Sequence, residues 1–404
     1  MRRRRFGIAL ICVACALAAS AAGANAARVI VLGKDGHATV RNDRFLTGPA
    51  VTPIPSGGVG ARAAVARPRA HAASGAAHDT LARLRHSGAI SARDYRRYLG
   101  SLNAAGRAAA HLTRPRAYEL KAVLLNIHNI AAGRALTASR LPALFLTLNR
   151  NVRWWTRGPL LDASQRVEFA GSELVWQYYP GQGLELQELG SFGKADGFYT
   201  GGPKLYPRMK HLLSELIPLG ARRGGALVWE YYFGFDGGPP PWTSAMSQGT
   251  ALEALSRAYK AFHQRHYLDI ARRALPIFGE RPPTGVSVRT PRGLRYLLYS
   301  FAWAPDVAVI NGFLQSLIGL NEYATTSHNA RAARLFAAGD AEARYEVPHY
   351  DTGRWSLYEP GELSSYDYHV LVTGFLQELC RRTHAGVYCN TAARFERYLK
   401  HPPV

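Results

Sequence analysis

The sequence predicts a mainly α-helical protein: an incomplete (α/α) toroid in the C-terminal half, preceded by a helical segment and a small β-rich element. Three observations predict it. Gly312-Phe313-Leu314-Gln315-Ser316-Leu317 recurs 62 residues later as Gly374-Phe375-Leu376-Gln377-Glu378-Leu379, and Gly249-Thr250-Ala251-Leu252-Glu253-Ala254-Leu255 stands 63 residues before the first copy. Each copy opens an apolar segment and follows a loop carrying aromatic residues, with Trp242, Trp303, and Tyr366 and Tyr368 as the aromatics. From Tyr206 onward the chain is helical in texture and broken by Gly/Pro-rich loops. A period of this length fits one helix pair with its loops, and pairs set around a ring bury their inner stripes and bring equivalent loops to one end. Gly183-Leu184-Glu185-Leu186-Gln187-Glu188-Leu189, preceded by Tyr178 and Tyr179, reads as a degenerate earlier copy whose glycine, like the others, lets an inner helix start close to its neighbours.

Taken from the start, residues 1–26 read as a secretory signal, with Arg2 to Arg5 as charged region, Phe6 to Ala18 as a short apolar run and Ala24-Asn25-Ala26 as cleavage site. The expected location is therefore secreted or cell-envelope. Residues 27–77 read as a β-hairpin around Lys34-Asp35-Gly36 followed by a flexible Ala/Pro/Arg-rich linker. Residues 78–160 form a helical segment: Ser91-Ala92-Arg93-Asp94 resembles a capping box, Leu120, Val123, Leu124, Ile127 and Ile130 make a helical stripe, and Leu141 to Trp155 is a further helix. Residues 161–204 read as a β-rich aromatic element and 205–404 as the toroid.

The chain carries 50 Lys plus Arg against 28 Asp plus Glu, a net +22, or +18 once the four leader arginines are removed. Such a field attracts polyanions. No nucleic-acid-binding motif is present, so an acidic glycan is the expected partner rather than DNA or RNA. Cleavage of the leader also removes Cys12 and Cys15, leaving Cys380 and Cys389 as a disulfide candidate in an oxidising compartment. A metal site on the same cysteines and His384 lacks further ligands at suitable spacing, and no metal is expected.

Three segments concentrate chemistry: Trp229-Glu230 through Asp236 to Gly249, Trp303-Ala304-Pro305-Asp306 leading to Asn311-Gly312-Phe313, and Tyr350 to Glu359 followed by Tyr366-Asp367-Tyr368-His369. Sugar sites need this mixture: flat aromatic faces for a pyranose, polar groups for hydroxyls, and cations such as Arg354 for carboxylates.

Here the chain resembles the D-glucuronyl C5-epimerases. Trp242 to Gly249 is similar to their W/Y-S-A-M-x-Q-G segment, Val309 to Leu320 to V-L-N-G-F-x-x-S-L-I-G-L, and Tyr350-Asp351-Thr352-Gly353 with Leu357-Tyr358 and Tyr366 to His369 to Y-D-T-G … I-Y-D … W-D-Y-H. Phe395 to Pro402 is similar to the closing segment, and Tyr179 to Gly183 to an upstream G-P-Q-G element. The resemblance covers about half of the chain.

That resemblance implies abstraction and return of the carbon 5 proton of a glucuronate within a polysaccharide, without an organic cofactor. It implies Tyr358 and Tyr368 as catalytic residues. Expected to bind substrate are Tyr179, Gln182, Trp242, Ser244, Gln248, Trp303, Asp306, Asn311, Arg354, Asp367 and His369. A catalytic Glu-Tyr pair of the family falls on Ser300-Phe301 here, with Tyr299 or Asp306 as nearby substitutes, and a family arginine falls on Gly361. The family's large β-domain ahead of the toroid has no room between Gly193 and Trp242. Other readings stay open: a lyase or hydrolase on the same toroid, using carboxylates among Glu230, Asp236, Asp306, Glu359 and Asp367, or a non-catalytic acidic-glycan-binding envelope protein. Assembly as a homodimer is also open.

Overall fold

The structure is a computed structural model that describes residues 26–47 and 75–403. The leader expected before Ala26 and most of the expected linker lie outside the described residues. The hairpin has strands β1 (Ala26–Leu32) and β2 (Ala38–Thr47), closed by a turn in which Gly36 takes φ +92°. It is not isolated. β1 pairs in parallel with β3 (Arg166–Phe169), so the sheet runs β2-β1-β3-β4-β5, where β4 is Trp176–Tyr179 and β5 is Gly183–Leu186. β3, β4 and β5 are buried at every position, including Arg166, Glu168, Gln177 and Glu185, so the polar residues that alternate with apolar ones there do not mark a solvent face.

Helices α1 (Ala76–His86), α2 (Ala92–His111), α3 (Arg116–Ala132) and α4 (Leu141–Arg157) form a bundle against this sheet. The Ser91 hydroxyl accepts from the Asp94 amide and so caps α2 as the sequence predicts. Leu120, Val123, Ile127 and Ile130 are buried along α3, while Leu124 is half-buried.

The toroid consists of four helical hairpins: α5 (Glu188–Thr200) with α6 (Tyr206–Leu216), α7 (Ala245–Phe262) with α8 (His266–Ala274), α9 (Ile310–Ser327) with α10 (Ala330–Glu346), and α11 (Tyr366–Thr383) with α12 (Gly386–Tyr398). The first helix of each pair is the inner one, and α5, α7, α9 and α11 pack in that order. Every residue from Ala245 to Ala258 is buried, as an inner helix walled on all sides requires. The expected β-rich element at 161–204 therefore ends earlier than its aromatic texture suggests: α5, inside it, is the first inner helix. In the Gly183 copy of the repeat, only Glu188 and Leu189 are helical; Gly183 itself sits at φ +84° in the turn into β5, where a Cβ would meet Val123 and Asn151.

The glycines of the repeat have unequal roles. A Cβ on Gly249 would lie 2.7 Å from Ser316 Cα, and one on Gly319 would lie 1.9 Å from the Gly249 carbonyl oxygen. The backbones of α7 and α9 touch there. Gly374 meets nothing within 4 Å. At the far end, α7, α9 and α11 each stop at a histidine in the left-handed region, His263, His328 and His384, at φ 56°, 53° and 54°. Near that end the inner helices are tied by ion pairs. Arg257 reaches Glu253 and Asp196 at 2.7 and 3.1 Å, and Arg382 reaches both Glu322 and Glu378 at 2.6 Å.

Short hairpins lead into the later inner helices. They are β6 (Ala221–Arg223) with β7 (Ala226–Val228), β8 (Ser287–Arg289) with β9 (Leu294–Tyr296), and β10 (Leu357–Glu359) with β11 (Glu362–Leu363). With β4–β5 ahead of α5, they carry the aromatic loops to the N-terminal end of the inner helices. Cys380 on α11 and Cys389 on α12 are joined by a disulfide.

Candidate active site

Aromatic rings floor that end of the toroid. Tyr231, Phe233 and Phe235 follow one another at every second position of an extended stretch. A bridge from Tyr231 to Trp242 folds this stretch back on itself. Trp242 stacks on Tyr231 and Phe235 with ring centroids 4.3 and 5.6 Å apart, and its indole N–H donates to the Phe233 carbonyl. Tyr179 packs on Phe233 at 4.6 Å and accepts a hydrogen bond from Gln187. With Ser244, Leu298 and Tyr299 these residues enclose a cavity of about 40 Å³. That volume suits a water-sized guest. Tyr179, Tyr231, Phe233, Trp242 and Tyr299 are buried against one another and Phe235 alone of these rings is partly exposed, so they form no pocket that encloses a sugar ring.

Ser300 and Phe301 have structural explanations. The Ser300 hydroxyl accepts from the Thr243 amide and from Arg223, fixing the strand beside Trp242. The Phe301 ring packs on Trp242 and Trp303 and covers Gly238, where a Cβ would come within 2.2 Å of it. Tyr299, two residues before, lines the cavity together with Tyr179 and Tyr231.

The other side of the mouth comes from β10 and the start of α11. Tyr358 on β10 and Tyr368 in the first turn of α11 are both buried, with ring centroids 4.7 Å apart. The Ser365 side chain accepts from the Tyr368 amide, which caps α11 and sets Tyr368 at its first turn. Next to Tyr358, burial and the charges of Glu362 and Asp236 hold the Glu359 carboxyl above the usual range, opposed by Arg295. Burial also raises Asp236. The loop after Phe235 thus brings the Asp236 charge to bear on Glu359 of strand β10. Arg295 donates to the Tyr350 hydroxyl at 3.0 Å and pairs with Glu346 at 3.3 Å. Burial pushes Tyr350 up to about 12.

The remaining expected site residues divide. Gln182 accepts from Asn126 and from the Gly234 amide, so it links the β4–β5 turn to the aromatic loop. Ser244 lines the cavity and caps α7. Trp303, Asp306, Arg354 and Asp367 are accessible, Trp303 half-buried and the others exposed. Asn311 is buried on α9, and its side-chain amide has no hydrogen-bond partner among the described residues.

Two expectations are corrected. Gln248 is fully buried and donates to the Trp229 carbonyl and the Thr243 hydroxyl, so it holds the loop rather than a substrate. His369 is also fully buried: Nδ1 accepts from the Ser356 amide, Nε2 faces the Phe395 carbonyl at 2.9 Å, and the ring stacks on Trp355 at 3.7 Å. Its proton therefore sits on Nε2, burial lowers its basicity, and neither nitrogen is left for a ligand. Among the candidate carboxylates, Glu230 is bound by Arg140 through Nε and Nη2 at 2.7 and 2.8 Å and by Arg223 at 2.7 Å, which makes it a structural anion.

Residues that sequence reasoning passed over are Phe235, Arg295 and Glu188. The alternation of Tyr231, Phe233 and Phe235 was the available signal for the first. Glu188 opens α5 between two cavity-lining residues; burial and the Glu230 charge hold its carboxyl well above the normal range, and its Oε2 has no hydrogen-bond partner among the described residues. Nothing in the local sequence marks it. Among the described residues no group of side chains has the makings of a metal site.

Comparison with known proteins follows the same division of the chain. Residues 223–397 match the family described as D-glucuronyl C5-epimerase C-terminus. A D-glucuronyl C5-epimerase of Caenorhabditis elegans is 30% identical over 186 residues, covering 40% of this chain and 29% of that protein. An uncharacterized protein of Methanocaldococcus jannaschii is 29% identical over 144 residues, 33% of this chain and 45% of that one. The chain thus spans less than half the length of either relative. A cellobiose 2-epimerase from Spirochaeta thermophila superposes with a TM-score of 0.41 at 17% identity, over 65% of this chain and 69% of that one. An unsaturated glucuronyl hydrolase specific for heparin superposes at 0.38 and 12% identity, over 76% and 83%.

Proposed function

Residues 223–397 belong to the D-glucuronyl C5-epimerase C-terminal family, and from that premise we propose that the protein is a carbohydrate epimerase acting on glucuronate within an acidic polysaccharide. The observation that carries the proposal is the contact between Tyr358 and Tyr368, the two tyrosines that match the family's active-site motifs, at a mouth floored by aromatic rings.

The chemistry asks for a base on one face of the sugar and an acid on the other. A phenolate takes the carbon 5 proton, the electron pair passes into the adjoining carboxyl group, and a phenol on the opposite face returns a proton to carbon 5. The proton lost and the proton gained balance, so no co-reactant is needed. Tyr299 is a further phenol at the mouth and is proposed to take the place that Phe301 cannot fill. Arg354, exposed in the loop before β10, is the cation proposed to meet the uronate carboxylate, and the Asn311 amide is proposed to meet a hydroxyl. The basic charge of the chain favours a polyanionic substrate, and the leader-like N-terminus an exported enzyme.

A second reading rests on Asp236 and Glu359. A glycoside hydrolase needs one carboxyl kept protonated near neutrality beside a second carboxylate, and both groups are raised.

One experiment separates these readings. The protein is incubated with glucuronate polymers in deuterated water and the product examined by NMR. Deuterium at carbon 5 of intact chains is the expected result. Chain cleavage without exchange, giving saturated products, transfers the assignment to the carboxyl pair; cleavage to an unsaturated uronate, or no change by a folded protein, overturns both.

A further inference from the structure

On the outer wall of the toroid, the β8–β9 hairpin and the first turns of α10 enclose an open groove of about 650 Å³, lined by Arg289, Arg331, Arg334, Leu294 and Leu335. The volume is in the range of sites that hold small ligands. The three arginines are exposed, and none forms an ion pair or donates a side-chain hydrogen bond among the described residues. This sets them apart from Arg140, Arg223, Arg257 and Arg382, whose charges are taken up by buried carboxylates. A guanidinium stays charged at any physiological pH and matches a carboxylate or sulfate with two parallel donors. Arg331 lies in the first turn of α10, capped by Asn329, so the positive end of the helix adds to the field. Between the arginines, Leu294 and Leu335 provide apolar surface for the C–H faces of a sugar. Anions with an apolar backbone fit this lining better than compact, fully hydrated ones.

The groove lies away from the mouth, and the chain runs from one to the other through β9 and the bend after it. Leu294 opens β9 in the groove, Arg295 next to it reaches Tyr350, and Tyr299 five residues on lines the aromatic cavity. At about 3.3 Å per extended residue, five residues reach at most roughly 17 Å, a span that a few linked sugars bridge.

We propose that this groove is a second binding site for acidic polysaccharide, holding uronate or sulfate groups of the chain whose other residues occupy the mouth. The glycan identity rests on the proposed function; the anion site does not.

The test is the affinity of the full protein for a glucuronate polymer and for a glucuronate disaccharide, measured over a range of salt. In Arg289→Ser/Arg331→Ser/Arg334→Ser the polymer Kd is expected to rise at least about 10-fold at low salt, with a shallower dependence on log salt. Disaccharide binding is expected to stay unchanged. The control Arg93→Ser/Arg96→Ser/Arg107→Ser removes the same charge from exposed positions on α2 and should leave polymer affinity within about twofold. Unchanged polymer binding in the groove variant overturns the proposal, as does an equal loss in the control. Single-stranded DNA of equal charge binding as tightly, and lost in the same variant, overturns the assignment to glycan. If the wild-type protein exchanges no carbon 5 proton yet loses polymer only in the groove variant, the catalytic reading fails and the groove stands.

Discussion

Tyr358 and Tyr368 face each other with ring centroids 4.7 Å apart, one on strand β10 and the other in the first turn of α11. The pairing is produced by the short β10–β11 hairpin, which turns the chain back on itself before the Ser365 cap starts the helix. Under the proposed function these phenols take part in proton transfer at the mouth.

If they do so, Tyr368→Phe keeps the ring packing and removes only the hydroxyl. The expected loss in carbon 5 deuterium exchange is about 10² to 10⁴-fold, with the melting temperature almost unchanged. Exchange within a few-fold of wild type would remove Tyr368 from the chemistry.

The contact between α7 and α9 leads to a stability prediction. Gly319→Ala places a methyl group 1.9 Å from the Gly249 carbonyl oxygen, which is backbone and has no rotamer to escape by. A cost of about 3 kcal/mol is expected, at or beyond the upper part of the range for overpacked cores. Gly374→Ala, with open space at the equivalent point of α11, should be neutral or stabilise slightly by raising helix propensity. Paired urea titrations of the two variants check this.

Glu230 offers a second test. Glu230→Ala leaves Arg140 and Arg223 without their buried anion, at a cost of about 3–5 kcal/mol. Thermal unfolding would show it. An effect below about 1 kcal/mol would mean that water reaches both guanidinium groups.

Glu346 makes stability depend on pH. Burial pushes its carboxyl up to about 7, with Arg295 opposing and Glu342 reinforcing the shift. In the unfolded chain it loses its proton near 4.5, so between these values the folded state holds a proton that the unfolded state has released. The contribution is complete below about 4.5 and is lost as the pH rises through about 7. Glu346→Gln removes the ionisation, so the variant should gain stability relative to wild type between pH 5 and 8. The gain is expected to be about 1–2 kcal/mol after allowance for solvent screening. Melting curves at pH 5 and pH 8 suffice, and an equal difference at both would contradict this assignment.

What was legible in the sequence was periodic or local. The inner helices of the later pairs share one environment, so Gly249, Gly312 and Gly374 begin similar strings, and their spacing displays a stack of helix pairs. Caps such as Ser91 and Ser365 act within a single turn and can be read from a few residues. The Gly183 copy misled because a glycine serves a tight turn into a strand as well as it serves a helix contact.

The identity of the site groups was a different matter. His369 reads as a base until Ser356, Phe395 and Trp355 are seen to occupy it, and Glu188 has no local mark at all. Asp236 and Glu359 stand far apart in the chain, and only folding brings their charges together.

By itself, then, the sequence determined the helix-pair plan, the aromatic character of one end and the matching tyrosines, because helix periodicity and capping depend on neighbours along the chain. Which groups are neutral, which are locked by partners and which remain open to a ligand was decided by the tertiary structure alone. Burial and charge pairing depend on distances through space, and residues remote in sequence set them.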